Sequence, residues 1–190
     1  MSKISKVLIA IGALLIVLSI AFLITSTIIT NKSKDECEKI VSKLEMILPK
    51  ENDGFAYVFS SEEMPVLEVE NKDICGIVEM PKYNLKLPIN NEYSYRIKSM
   101  PNRISGSAYD NSLIINGSDK KGQFDCVNQI EIGDEINIID MTGARFSYEI
   151  YDIYRSKTAD ENYFISDDDL TLIIKQEYAL ECVIVCCKLK

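Results

Sequence analysis

From Asp73 onward the chain breaks into seven runs of strand length separated by polar turns: ICGIVEM, LKLPI, SLIIN, EINIID, RFSYEIYDIY, LTLII and CVIVCC. They are rich in Ile, Val, Leu and Tyr, whose branched or aromatic side chains suit a pleated, half-buried surface. Stretches with helical spacing are few and short here, EYSYRIK (92–98) and QFDCVNQI (123–130) being the best candidates. Many short strands at this spacing predict a mostly β domain, a barrel or a sandwich. The turn MTGARF predicts a hairpin, with Gly143 able to supply a positive φ.

The amino-terminal part has a different character. Val7 to Ile29, VLIAIGALLIVLSIAFLITSTII, contains no charged residue over about 23 positions, long enough to cross a hydrocarbon core of about 30 Å as a helix. An uncleaved transmembrane anchor is preferred to a signal peptide, because TSTIITNKSK offers no clear small-residue cleavage site. Residues 1–6 then form a short tail. Lysines flank the span on both sides, Lys3 and Lys6 before it and Lys32, Lys34, Lys39 and Lys43 after it, so the positive-inside count does not fix orientation. A short tail followed by a long domain places the tail in the cytoplasm and the C-terminal domain outside the cell. With 21 basic and 29 acidic residues the net charge is −8, which opposes binding to a phosphate backbone and excludes nucleic acid as an expected partner.

Between anchor and domain, Cys37, Ile40, Val41, Leu44, Ile47 and Leu48 recur at spacings of three and four, with Asp35, Glu36, Glu38, Lys39 and Lys43 between them. This predicts a juxtamembrane amphipathic helix ending near Pro49. Its polar face mixes acids with lysines, so its apolar stripe is expected to lie against the domain or a partner and not on lipid. Residues 50–72 read as a linker holding one strand around a short apolar run, and 73–190 as the β domain.

The order of these segments resembles a sortase, the membrane-anchored cysteine transpeptidase of Gram-positive bacterial surfaces. ICGIVEMPKYNLKLPI (74–89) resembles the segment that opens the family's domain. IINGSDKKGQFDCVNQIEIGDEINI (114–138) follows the family's strand ending in Ala-Gly-His, its loop and Phe, and its short helix leading to Gly-Asp and the next strand. LTLIIKQEYALECVIVCCKL (170–189) fits the frame in which Leu-Thr-Leu-Val-Thr-Cys is followed, seven residues past the cysteine, by an arginine. The resemblance implies a closed β-barrel with short helices behind the anchor and amphipathic helix. It also places the catalytic histidine at Ser118, the nucleophilic cysteine at Lys175 and the arginine at Cys182. All three are changed, and the chain contains no histidine at all.

The family's chemistry, as the resemblance implies it, passes an acyl group from a sorting peptide through a thiolate to an amine. That requires a reactive nucleophile, an acid for the leaving amine and a donor for the oxyanion. A serine hydroxyl does not titrate near neutral pH, as an imidazole does. A lysine, with a reference pKa of about 10.4, is protonated there, and its amide with an acyl group would be a dead end. Cys182 is the alternative nucleophile, since strand pairing as in the family would set it across from Lys175 and an adjacent ammonium lowers a thiol pKa. No catalytic residue is expected in the leading reading, and no cofactor or metal site. The run Asp167, Asp168 and Asp169 lacks the alternating ligand spacing of a calcium loop and reads as a solvated loop.

Six cysteines on an exported domain raise a disulfide reading, but CVIVCC also reads as an apolar strand in which sulfur fills core space. Cys182 and Cys186 should share one face of it and Cys187 the other, and buried free thiols are preferred. The expected function is a sortase-like pseudoenzyme that binds a sorting-signal peptide, a surface protein or an active sortase. The alternatives are an active transpeptidase or peptidase using Cys182, or a structural subunit of a cell-surface membrane complex.

Overall fold

A computed structural model describes residues 3–49, 63–92, 99–157, 168–176, 179 and 181–190. One helix, α1 (Lys3–Ile47), precedes nine strands: β1 (Leu67–Val69), β2 (Lys72–Met80), β3 (Leu85–Asn90), β4 (Asn102–Ser105), β5 (Leu113–Ser118), β6 (Glu135–Asp140), β7 (Arg145–Ser156), β8 (Leu170–Gln176) and β9 (Glu181–Leu189). Each of the seven predicted runs lies within or overlaps β2, β3 or β5–β9. EYSYRIK falls almost wholly outside the described residues, and QFDCVNQI contributes a single 3-10 turn, Val127–Gln129. The apolar run of residues 55–59 in the linker also lies outside them.

The strands run in the order β2-β3-β4-β5-β8-β9-β7-β6, and β6 pairs back onto β2, Gly76 opposite Asp140 through Glu79 opposite Asn137. Eight strands therefore close into a barrel, a solution that leaves no open sheet edge. β1 adds a short hairpin to the free end of β2, where Glu70 and Asn71 turn the chain with φ of 53° and 58°. The barrel interior is filled by Ile74, Ile77, Met80, Ile89, Leu113, Ile115, Phe124, Ile136, Tyr148 and Leu172, all under 3% exposed.

β5, β8 and β9 are buried on both faces. Leu113 and Ile115, Leu172 and Ile174, and Val183, Val185 and Cys187 point inward, whereas Ile114, Ile173, Ile184 and Cys186 form a second buried apolar cluster on the opposite face. That is why SLIIN, LTLII and CVIVCC read as continuous apolar runs without alternation. Cys186 and Cys187 occupy opposite faces, and Cys182 packs with Cys186 against the second cluster. All six thiols are free, and five are buried.

α1 is continuous, and its apolar part is long and apolar enough to cross a membrane, with a mean hydropathy of 2.5. Its last turns lie on the barrel beside β3. Cys37, Ile40, Val41 and Leu44 are buried there and Leu48 is half-buried, while Ile47 remains 60% exposed. The charged flanks of this stripe reach the domain as well. Lys39 and Lys43 both bind Glu70, Lys72 binds Glu36, and Lys86 Nζ is 2.7 Å from Glu45. The Cys37 thiol donates to the Ser99 carbonyl at 3.1 Å. Burial, with the nearby Glu36 and Glu38 carboxylates, pushes that thiol up to about 12, so it serves as a packed, protonated side chain.

Candidate functional site

The ends of three adjacent strands bring the sequence-selected residues together. In the parallel β5–β8 ladder Ser118 is opposite Lys175, and in the antiparallel β8–β9 ladder Lys175 is opposite Cys182. Across the next ladder Cys182 faces Ser156 of β7. Directly paired residues share a face of the sheet, so Ser118, Lys175, Cys182 and Ser156 form one row on the outside of the barrel. Beneath it in the same face runs the row Asn116, Ile173 and Ile184.

The loop after β5 is tied down tightly. The Ser118 amide donates to Gln123 Oε1 at 3.1 Å, and its carbonyl accepts from the Phe124 amide at 3.1 Å. The Asp119 amide donates to the Lys175 carbonyl at 3.0 Å, which carries the ladder one residue beyond the row. Gly117 is required for this packing, because a Cβ there would stand 2.5 Å from the Phe124 ring. The Ser118 Oγ is buried and has no hydrogen-bond partner among the described residues. An orphaned buried hydroxyl is uncommon in a settled interior and marks a place where a polar partner fits.

Lys175 extends into solvent, whereas Cys182 is half-buried. Burial pushes the Cys182 thiol up, and the Lys175 ammonium opposes that shift without overcoming it. Cys182 is thus a protonated thiol near neutral pH.

A polar group beside the row was not singled out from the sequence. Asn128 Oδ1 accepts from Arg155 Nη2 at 3.1 Å and from Gln176 Nε2 at 3.2 Å. Gln176 is buried and its Oε1 has no hydrogen-bond partner among the described residues. The three residues come from β7, β8 and the turn after β5, and no local spacing announces them.

The acidic run makes protein contacts where it is described; Asp167 lies outside the described residues. Asp168 accepts from Tyr151, and Asp169 accepts from the Leu189 amide at 2.8 Å and pairs with Lys188 at 3.5 Å. Among the described residues no group of three or more His, Cys, Asp or Glu side chains is placed to hold a metal.

Solved structures share this architecture. Sortase A from Corynebacterium diphtheriae matches with a TM-score of 0.56 at 18% identity, over 63% of this chain and 61% of that one. Sortase C1 from Streptococcus agalactiae matches with a TM-score of 0.56 at 18% identity, over 80% of this chain and 89% of that one. Clostridium perfringens sortase C, solved with the C-terminal cell wall sorting motif, gives 0.54 at 19% identity over 68% and 78%. The chain thus spans about three-fifths of the length of the C. diphtheriae enzyme. No family model and no curated protein matches the sequence. The molecule is a closed, mostly β barrel behind an apolar helix. Its fold is the sortase fold, as the order of segments in the sequence implied.

Proposed function

We propose that this chain is a sortase-fold pseudoenzyme. Val7–Ile29 anchors it in a cell membrane behind a short cytoplasmic tail, residues 1–6. Residues 30–72 form the juxtamembrane helix and linker, and residues 73–190 the domain, displayed outside the cell. The observation that carries this reading is the row itself. Where the family's frame puts an imidazole, a thiol and a guanidinium, the adjacent strand ends hold Ser118, Lys175 and Cys182. None supplies a titrating base, an activated nucleophile or a charged oxyanion donor in the required place. Fold alone does not restore a function whose residues are gone.

The retained role is binding. A sorting-signal peptide, a surface protein or an active sortase is the partner, and the net charge of −8 favours ones with basic segments. The Ser118 hydroxyl supports a polar ligand along the row, because it offers a hydrogen bond that the described residues leave unmade. Titrating fluorescent sorting peptides and candidate surface proteins onto the full chain in detergent tests this. Saturable binding that Ser118→Trp abolishes is expected; no binding to any of them would remove the binding role.

A second reading, an active peptidase built on Cys182, draws on its position opposite Lys175. The upward shift of its thiol counts against it. Peptide turnover lost in Cys182→Ala would favour it.

A further inference from the structure

Where β5 begins, at the end opposite Ser118, the segments after β3 and β4 wall a cavity of about 420 Å³. Arg103 of β4 stands between the two walls. Its Nε donates to the Asn91 carbonyl at 3.2 Å and its Nη1 to the Gly106 carbonyl at 3.3 Å. Asn91 and Gly106 both line the cavity, so the guanidinium is fixed at its wall by one uncharged acceptor from each side. A guanidinium carries five N–H donors and stays charged at any physiological pH. The two carbonyls use two of those donors and leave the charge without a counterion among the described residues.

The same cavity is lined by the carboxylates of Glu63, Glu92 and Asp110, and Arg103 is paired with none of them. Asp110 is held on the wall, where it accepts from the Ser107 amide at 3.1 Å and from Ser112 Oγ. Asn91, whose carbonyl holds Arg103, keeps a further acceptor: its Oδ1 is buried and has no hydrogen-bond partner among the described residues. An orphaned acceptor beside a fixed guanidinium marks a place where a donor fits.

From this juxtaposition we infer that the cavity binds a basic α-amino acid, with its carboxylate on the free donors of Arg103 and its ammonium groups toward Asn91 Oδ1, Glu92 and Asp110. A simple anion would meet like charges on the opposite side of the cavity. A metal ion or a polyamine would face the guanidinium with no anion between them. One carboxylate and two ammonium groups in a single molecule match both signs, and the carboxylate suits the planar fork of an arginine. The site shares no residue with the Ser118 row and is independent of what the row binds.

The test is a saturation-transfer NMR titration of the full chain in detergent with three probes: L-lysine, cadaverine and hexanoate. Cadaverine has two amines and no carboxylate; hexanoate has a carboxylate and no amine. The wild type should bind L-lysine at least roughly tenfold more tightly than either, the gain from one charge-assisted contact. In R103Q, L-lysine should fall to the affinity of cadaverine, while cadaverine binds no more weakly than before. E92Q, at an exposed position, should weaken L-lysine and cadaverine alike by roughly threefold. No binding of L-lysine to the wild type, equal affinity for L-lysine and cadaverine there, or a preference for L-lysine that survives in R103Q overturns the site. A guanidinium that only ties the two loops together would give that last result, with lowered stability. Should R103Q fail to fold, the wild-type ranking and E92Q decide: E92Q binding both amines as tightly as the wild type overturns the inference.

Discussion

Lys175 and Cys182 face each other across the β8–β9 ladder, and Ser118 continues the same row on β5. An ammonium beside a thiol is an arrangement that lowers thiol pKa, yet the half-buried position of Cys182 outweighs it. Reaction with a maleimide should therefore be slow at neutral pH. It should accelerate as pH rises through and beyond the ordinary thiol range, because a thiol with a raised pKa gives up its proton only there. Lys175→Met should slow it further. Peptide mapping of labelled protein across pH checks this, and a fast, pH-independent reaction below neutrality would identify an activated thiolate.

Gly117 precedes the row and lies against Phe124. Gly117→Ala forces its Cβ into the ring and should lower stability by about 1–3 kcal/mol, as overpacking does. Gly133→Ala, with φ of 91° but open space around it, meets only backbone strain and should cost about 1 kcal/mol. Urea unfolding of the full chain in detergent compares the two. Adding Phe124→Leu to Gly117→Ala should recover part of the loss; equal effects of the two single changes would contradict the packing assigned to Gly117.

The amphipathic end of α1 belongs to the barrel's core. Leu44 is fully buried, so Leu44→Ala should cost about 2–5 kcal/mol, whereas Met46→Ala, at a position 76% exposed, should be nearly neutral. Thermal unfolding of both variants reads the difference. Similar, small effects would mean that the helix leaves the barrel in solution.

Much of this was legible in the sequence, for identifiable reasons. The strands that matter to the site are long and apolar, and the row follows from their period and from the spacing of Ser118, Lys175 and Cys182 within the sortase frame. The apolar stripe from Cys37 to Leu48 announced a helix face that does lie on the domain, apart from Ile47. β4 was not legible, because Asn102–Ser105 has one apolar residue and is held largely by pairing with β5. β1 was hidden in what reads as linker; its three residues become a strand only through β2. The Arg155, Asn128 and Gln176 contacts join three distant segments and exist only after the barrel closes.

Incubating the full chain in detergent with a panel of sorting-signal peptides and an amine acceptor, followed by intact-mass spectrometry, tests the loss of catalysis most directly. The expected result is unchanged peptides and an unmodified protein mass. A cleaved peptide, or an acyl adduct on the protein that Cys182→Ala removes, would contradict it.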